Sequence, residues 1–259
     1  MRWRSPIGLS TRSTATSGFD DRPVSREPLV FSKILLFDID GTLLLSGRAG
    51  YRALTRAFEE LFGVKRGFDG VPVAGMTDEL ILTDALRRAG VVAGTVDRER
   101  FHRRYCELFA EEIHFPGPRK GLMPGVLTLL DRLSRVDEVR CGLVTGNFAH
   151  PARIKLEHFD LWRFFHFGAY GDDAPVRDDL VPIAVARAER NGVTVEGAHH
   201  VVVIGDTPLD VRCAIAAGAR SVAVATGSYD EAALRGTKAD AVVADFEETD
   251  TVVELLLDI

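Results

Sequence analysis

The chain of 259 residues, with 46% hydrophobic and 27% charged side chains, is long enough for one α/β domain or for a core domain with a smaller companion. Its net charge of −6 argues against a nucleic-acid-binding face, which is usually basic, but allows a small anionic substrate bound beside a cation. No apolar run approaches the roughly 20 residues that span a bilayer, so we expect no membrane partner. Three scattered cysteines form no CxxC pair, which favours a reduced, cytoplasmic setting.

The first 29 residues differ in composition from the rest of the chain. Residues 1–18 contain three arginines, no acidic residue and many Ser and Thr, and they lack the apolar core of a secretory signal. We predict that residues 1–29 are a disordered N-terminal extension. An organellar transit peptide and a start site assigned too far upstream are the alternatives.

From residue 30 onward, short apolar runs alternate with amphipathic helical patterns. This alternation is typical of a parallel sheet with crossover helices, and runs rich in Val, Ile and Leu indicate strands buried on both faces. We therefore predict an α/β fold with a doubly wound, Rossmann-like parallel sheet. The predicted strands lie in KILLFDID, RCGLVTGN, HHVVVIGD, SVAVATG and DAVVADF.

One stretch, from residue 48 to residue 121, interrupts this alternation. It contains no convincing strand but three helical patterns with apolar residues three and four apart, followed by the Gly/Pro-rich FPGPRKGLMPG. The pattern predicts a small helical cap domain at 48–121, inserted after the first strand of a core domain formed by 30–47 and 122–259.

The strongest chemical signal is LLFDIDGTLL. A predicted strand ends in two carboxylates, Asp38 and Asp40, which are followed by Gly41 and Thr42. Alternate residues of a strand point the same way, and ligands of open α/β sheets bind outside the carboxyl ends of the strands. Both acids can therefore face one pocket. A solvated Asp-Gly turn would explain Asp40 and Gly41, but not the acid embedded in the apolar strand.

Two further predicted strands end in polar residues. VVVIGDTPLD brings Asp206 and, one helical turn later, Asp210; the alternative for Asp206 is the N-cap of the following helix. A cluster of carboxylates from two strands suits Mg²⁺. GLVTGN brings Thr145, Gly146 and Asn147, which could cradle a phosphate but also make an ordinary turn.

Together and in this order, LLFDIDGTLL, GLVTGN and VVIGDTPLD resemble motifs one, two and four of the haloacid dehalogenase (HAD) superfamily. The helical insertion resembles the C1-type cap of its phosphoglycolate-phosphatase-like branch. The resemblance implies that Asp38 is the nucleophile, Asp40 the general acid/base and Thr145 a phosphoryl ligand. It also implies that Mg²⁺ is held by Asp38, the backbone carbonyl of Asp40 and Asp206, with Asp210 in support.

The third motif of that family is usually a lysine, whereas the corresponding stretch here, APVRDDLVPIAVARA, contains none. Arg177 is our candidate for the cation that binds phosphate, and a solvated loop arginine is the alternative. Many members of the phosphoglycolate-phosphatase-like branch carry a basic residue where this chain has Met76, so the resemblance does not single out phosphoglycolate.

The resemblance, together with these patterns, implies a Mg²⁺-dependent phosphatase that hydrolyses small phosphorylated metabolites through an aspartyl-phosphate. Its partners would include no nucleic acid and no membrane, and it would be a monomer or homodimer. A phosphomutase on the same core, a metal-independent dehalogenase and a non-catalytic binding module are the alternatives. A phosphonate hydrolase would need a lysine in the cap interior, where Lys65 is the one candidate.

Overall fold

The computed structural model describes residues 33–259, and the predicted N-terminal extension, residues 1–29, lies outside them. The predicted fold class is confirmed, because a parallel sheet is covered by helices on both faces. Within the described residues the strands are β1 (Lys33–Phe37), β2 (Leu44–Leu45), β3 (Gly121–Leu122), β4 (Val139–Val144), β5 (Gly168–Ala169), β6 (Val201–Gly205), β7 (Arg220–Val224) and β8 (Ala241–Val243).

Six of these strands form the main sheet, in the order β5-β4-β1-β6-β7-β8, and all pair in parallel. The five predicted apolar runs correspond to β1, β4, β6, β7 and β8. The pattern missed β5 and the small antiparallel ribbon of β2 and β3, because an element of two residues has no periodicity. In this order β1 lies between β4 and β6, so the polar residues that follow these three strands meet at one edge of the sheet.

Helices cover both faces of the sheet, because both faces are apolar. In β1, Leu35 and Phe37 pack into the apolar cluster on one face, whereas Ile34 and Leu36 pack into the cluster on the other. The helices are α1 (Ala49–Phe62), α2 (Asp78–Ala89), α3 (Thr95–Glu112), α4 (Val126–Leu133), α5 (Ala149–His158), α6 (Leu180–Arg190), α7 (Pro208–Ala216), α8 (Glu231–Arg235) and α9 (Thr249–Asp258), with short 3-10 helices at Trp162–Phe164, Arg177–Asp179 and Ala198–His200.

The stretch from residue 48 to residue 121 is helical, as predicted, and contains α1, α2 and α3. These helices share an apolar cluster, built around aromatic rings such as Phe58, Phe68 and Phe101, whose centroids lie 5.2–6.3 Å apart, and Phe148 of the loop after β4 packs into the same cluster. We refer to residues 48–121 as the helical insertion. Its assignment as a separate cap domain, with a core domain at 30–47 and 122–259, stays a prediction.

Two chain segments join the helical insertion to the sheet, and they run side by side. The β2–β3 ribbon pairs Leu44 with Leu122, and beyond it Gly47 and Gly117 touch so closely that a Cβ on Gly117 would lie 1.9 Å from the carbonyl oxygen of Gly47. Only glycine allows this approach. The ribbon and the glycine pair therefore keep both connections beside the end of β1, where Asp38 lies.

Among the described residues, none of the helices is both long and apolar enough to cross a membrane.

Candidate active site

Three carboxylates meet at the carboxyl edge of the sheet. Asp38 follows β1, Asp206 follows β6, and Asp210 lies in the first turn of α7. Each offers an oxygen within 4.8 Å of the others, and all three side chains are buried. The backbone N–H of Asp38 donates to the carbonyl of Ile204 at 2.9 Å, which extends the β1–β6 ladder and fixes where the acid emerges.

Two glycines make room for Asp206. A Cβ on Gly41, whose φ is 83°, would lie 2.4 Å from the Oδ2 atom of Asp206, and a Cβ on Gly227 would lie 1.6 Å from the same atom. A side chain at either position would therefore displace the carboxylate. Gly41 of the first motif therefore lets the loop after β1 approach the loop after β6, and it is not part of a solvated turn. Asp206 is not the N-cap of α7, because Thr207 occupies that position.

The electrostatics of the carboxylate cluster favour a cation. Burial raises the pKa of Asp38 to about 6, although Arg177 counteracts this effect. Burial, with Asp210 and Asp38 nearby, raises the pKa of Asp206 to about 8. One guanidinium, that of Arg177, faces three carboxylates and leaves the cluster with net negative charge when all are ionised. An oxygen-only donor set of this charge fits a hard divalent ion such as Mg²⁺.

Asp210 already has partners for both of its oxygens. Oδ2 accepts hydrogen bonds from the backbone N–H of Thr207, at 3.0 Å, and from its hydroxyl, at 2.7 Å, which together with Thr207 makes a capping box on α7. Oδ1 accepts a hydrogen bond from Nη2 of Arg177. Asp210 therefore anchors its neighbours, whereas Asp38 and Asp206 keep oxygen atoms available.

Arg177 is buried beside the first acid, with 3% of its surface exposed. Nη2 lies 3.1 Å from Oδ1 of Asp38, and Nη1 donates to the carbonyl of Gly75 at 3.1 Å. Its Nε–H is buried and has no hydrogen-bond partner among the described residues. The alternative of a solvated loop arginine is wrong, because the residue contacts Asp38 and Asp210 rather than water.

The other predicted residues cluster around Asp40, on the β4 side of Asp38. Nδ2 of Asn147 donates to Asp40 Oδ2 at 2.8 Å and to Thr145 Oγ1 at 2.7 Å. Both Thr145 and Asn147 are buried, while 39% of the Asp40 side chain is exposed to the cavity. This arrangement leaves the Oδ1 atom of Asp40 accessible beside the carboxylate cluster.

Lys155 is a site residue that the sequence patterns did not single out. Its Nζ donates to Asp40 Oδ2 at 2.5 Å and to Asn147 Oδ1 at 2.6 Å, and it lies 5.6 Å from the ring centroid of Phe109 in the helical insertion. The signal available in the sequence is a lysine on the apolar face of α5, three residues after Ala152 and next to Leu156. A lysine in that position needs a buried partner.

The helical insertion docks on the loop after β4 through the start of α2. A Cβ on Gly146 would lie 2.2 Å from the carbonyl oxygen of Met76, so the loop and the insertion are in backbone contact. The N–H of Asp78 donates to the carbonyl of Gly146 at 2.8 Å, and its carboxylate accepts from the N–H of Phe148 at 2.9 Å. Gly146 therefore serves close packing as well as any contact with phosphate.

A cavity of about 520 Å³ lies between the sheet edge and the helical insertion. Its floor carries the polar side chains at the end of the sheet, and its opposite wall is apolar and aromatic. The lining includes all predicted phosphate-binding residues, whereas Lys65, which is 82% exposed at its side chain, does not line it. The residues on the floor are Asp38, Asp40, Thr145, Gly146, Asn147, Lys155, Arg177 and Asp206.

Comparison with known proteins gives a consistent picture. The family model described as haloacid dehalogenase-like hydrolase matches residues 35–214, and a second model, HAD-hydrolase-like, matches residues 180–249. A phosphoglycolate phosphatase from Rhodospirillum rubrum is 30% identical over 221 residues, which cover 83% of this chain and 88% of that protein.

Solved structures share the fold. A predicted phosphoglycolate phosphatase from Haemophilus somnus superposes with a TM-score of 0.63 at 18% identity, covering 86% of this chain and 98% of the other. CbbY from Rhodobacter sphaeroides, solved in complex with phosphate, superposes with a TM-score of 0.63 at 18% identity, covering 84% and 96%. These likenesses extend over nearly the whole length of the solved chains.

Proposed function

The chain belongs to the haloacid dehalogenase-like hydrolase family and is a phosphoric monoester hydrolase. We propose that it is a Mg²⁺-dependent phosphatase acting on small phosphomonoesters. Asp38 would be the nucleophile that forms an aspartyl-phosphate. The observation that carries the proposal is the position of Asp38: it is buried at the end of the central strand, ion-paired with Arg177, and lines the same cavity as Asp40 two residues later.

In this proposal some of the residues around Asp38 would bind the phosphoryl group, and others would act on the leaving group. An oxygen of Asp38 would attack phosphorus, while the hydroxyl of Thr145 and the guanidinium of Arg177, which both belong to residues that line the cavity, would donate hydrogen bonds to phosphoryl oxygens. Asp40 would give its proton to the leaving alkoxide and later remove one from the water that hydrolyses the aspartyl-phosphate. Asn147 and Lys155, which both bind Oδ2 of Asp40, would hold its carboxyl group in place.

The carboxylates of Asp38 and Asp206, with the backbone carbonyl of Asp40, would hold the Mg²⁺ ion. When bound, the ion would screen the repulsion between Asp38 and the phosphate dianion and stabilise charge on the transferring oxygens. The raised pKa values of Asp38 and Asp206 support this assignment, because they mark negative charge that the protein alone leaves uncompensated.

The helical insertion would act as a cap that limits water in the cavity and contacts the leaving group. The backbone contact between Met76 and Gly146 supports this role, because it holds the helical insertion against the loop after β4, beside the carboxylate cluster. We also propose that the protein is cytoplasmic and that it is a monomer or a homodimer.

A substrate panel with a nucleophile variant tests the function. We expect the purified protein to release phosphate from several small phosphomonoesters, phosphoglycolate included, with Mg²⁺ and not in excess chelator. The Asp38→Asn variant should lose at least about 1,000-fold in kcat, and labelling with a ³²P substrate should mark the wild-type protein alone. Asp178→Asn, an acid paired with Arg212 outside the cavity, serves as the control and should retain activity.

The same panel separates the alternatives. A phosphomutase would move the label to a second hydroxyl of the product rather than to inorganic phosphate. A dehalogenase would release halide from 2-haloacids in chelator, and a binding module would release neither. A phosphonate hydrolase is disfavoured, because Lys65 is exposed and the Nζ of Lys155 is engaged by Asp40 and Asn147.

A further inference from the structure

Two arginines line the cavity away from its floor. Arg48 lies where the chain enters the helical insertion, at the N-terminus of α1, and Arg119 lies where it returns, just before β3. Both line the same cavity as Asp38 and Asp40. None of the proposed catalytic steps uses either residue, so two positive charges on the leaving-group side of the cavity have no role assigned.

Both arginines adopt a backbone conformation that side chains disfavour. Arg48 has φ = 64° and Arg119 has φ = 52°, which is the left-handed region. The described residues contain four non-glycine residues with positive φ, and of these Arg48 and Arg119 are the ones that line the cavity. Such conformations are unfavourable for residues other than glycine and persist where the surroundings determine them.

The surroundings of the two arginines are well defined. Gly47, next to Arg48, touches Gly117 of the returning segment and accepts a hydrogen bond from Nη1 of Arg52 at 2.7 Å. Arg119 donates through Nη2 to the carbonyl of Thr226 at 2.8 Å, and Thr226 donates to the carbonyl of Gly41. Arg119 is thereby tied to the loop that carries the proposed nucleophile.

The two arginines differ from the other cations of the cavity in having no carboxylate partner. Arg177 is paired with Asp38 and Asp210, and Lys155 is paired with Asp40. Within residues 33–259 neither Arg48 nor Arg119 forms an ion pair: the guanidinium of Arg48 lies 5.2 Å from the ring centroid of Tyr51, and Arg119 binds a backbone carbonyl. Their charge is available to a ligand.

We propose that Arg48 and Arg119 bind a second anionic group of the substrate, a carboxylate or a second phosphate on the leaving-group side. This inference rests on the proposed phosphatase function and narrows it to phosphomonoesters that carry a further negative charge. Guanidinium groups suit such groups because their N–H donors match two oxygen atoms at once. Because the two arginines belong to the two connections of the helical insertion, the anion would also bridge those connections.

Substrate pairs that differ in one anionic group test the proposal. We would measure kcat/KM for 3-phosphoglycerate against glycerol 3-phosphate, and for propane-1,3-diol bisphosphate against 3-hydroxypropyl phosphate, the first pair probing a carboxylate and the second a phosphate. The wild type should prefer the member with the second anionic group, in at least one pair, by about tenfold or more. Arg48→Gln and Arg119→Gln should each remove most of this preference while changing kcat/KM for the member without that group by less than about threefold.

Arg66→Gln is the matched control. Arg66 also has positive φ (56°) and belongs to the helical insertion, but it does not line the cavity, and its side chain is 81% exposed beside Asp69. The control should keep the wild-type preference. Equal turnover of both members of both pairs by the wild type, or an equal loss on both members in the arginine variants, would overturn the proposal.

A binding measurement tests the anion site separately from the proposed phosphatase function. We would titrate 3-phosphonopropionate and propylphosphonate calorimetrically into the wild type and the Arg48→Gln/Arg119→Gln double variant, with Mg²⁺ present. Tighter binding of the carboxylate compound by the wild type alone would support the anion site, even if no phosphomonoester, p-nitrophenyl phosphate included, were hydrolysed. In that case the proposed function would fail and the anion site would stand. Turnover without any charge preference would instead refute the anion site alone.

Discussion

At the scale of residues, each of the two carboxylates of the first motif has its own cation. Arg177 lies 3.1 Å from Asp38, and Lys155 lies 2.5 Å from Asp40. The environments differ as well, because Asp38 is buried while the Asp40 side chain is 39% exposed. Under the proposed mechanism the two acids would serve different purposes, Asp38 as a nucleophile held in a fixed charge environment and Asp40 as a proton carrier open to the cavity.

Lys155→Met should impair proton transfer more than phosphoryl transfer. Without Lys155, one of the two donors that hold Oδ2 of Asp40 is lost, and the carboxyl group is free to rotate away from the leaving group. We expect kcat to fall about 100-fold for an alkyl phosphate, whose alkoxide needs a proton, and less than about fivefold for p-nitrophenyl phosphate, whose phenolate leaves without one. Lys65→Met, at an exposed position, is the control. An equal loss on both substrates would contradict a positioning role.

Arg177→Ala should damage both stability and activity. It leaves Asp38 and Asp210 buried without their shared cation, and removing one partner of a buried ion pair costs about 3–5 kcal/mol. Arg177→Lys should recover part of this loss, because an ammonium group keeps the charge but cannot match the planar fork that also reaches the carbonyl of Gly75. Urea unfolding and kcat measure the two effects. Near-native values for Arg177→Ala would show that the phosphate-binding cation lies elsewhere.

At the scale of elements, the first turn of α2 holds the helical insertion on the sheet. Thr77 caps α2 by accepting from the N–H of Leu80, and its hydroxyl donates to the carbonyl of Pro175 at 2.8 Å. Asp78 follows with two hydrogen bonds to the loop after β4. One helix N-terminus therefore joins two loops of the sheet edge, and the geometry of the cavity depends on this junction.

Asp78 makes the stability of this junction depend on pH. Burial raises the pKa of Asp78 from its ordinary 3.8 to about 7, although Lys155 counteracts this effect. The folded state then holds a proton that the unfolded state has lost, so stability is greatest below pH 4 for this group and declines as pH rises towards 7. Over that interval the loss amounts to a few kcal/mol, about 4 at most.

Asp78→Asn should remove this dependence. The amide oxygen can still accept the hydrogen bond from Phe148, but it carries no charge to bury. We expect the variant to unfold at a higher temperature than the wild type at pH 8, with a smaller difference at pH 5, as measured by calorimetry. Asp84→Asn, at a half-buried acid on α2 that is paired with Arg87 and Arg88 and does not line the cavity, is the control. A variant less stable than the wild type at pH 8 would show that the carboxylate contributes favourably.

At the scale of the whole molecule, the proposed metal site couples ligand binding to folding. Asp38 and Asp206 come from strands 168 positions apart in the sequence, and the site exists only when the sheet is assembled. An ion that binds the folded state alone stabilises it by about 2.7 kcal/mol at a concentration 100 times its Kd. The melting temperature of the wild type should therefore rise with Mg²⁺ concentration, independently of any turnover.

Asp206→Asn should abolish most of that rise and stabilise the protein without metal at high pH. Because the pKa of Asp206 is raised from 3.8 to about 8, its contribution to stability declines as pH rises between these values, and above pH 8 the full cost of ionising it opposes folding; an amide avoids that cost. Thermal unfolding at pH 9, with Mg²⁺ and with chelator, measures both effects. Asp178→Asn should behave like the wild type, and a full Mg²⁺ shift in Asp206→Asn would exclude Asp206 as a ligand.

Much of the architecture could be predicted from the sequence, because its causes are local. Five apolar runs indicated the strands of the sheet, and helices were recognised from apolar residues three and four apart. The parallel order then required that Asp38 and Asp206 lie at one edge, since the carboxyl ends of adjacent parallel strands meet there. The candidates Asp38, Asp40, Thr145, Asn147 and Asp206 followed from where each strand ends.

Other features were decided by the tertiary structure, because their causes are contacts between residues far apart in the chain. Lys155 meets Asp40 across 115 positions, and no local pattern encodes that pairing. Arg177 could be read as a loop residue until the fold buried it between Asp38 and Asp210. Arg48 and Arg119 gain a shared cavity only because the two connections of the helical insertion run together. By itself the sequence thus determined the elements and the acids at their ends, whereas the pairing of each acid with its cation depended on packing, which brings distant side chains within a few ångströms.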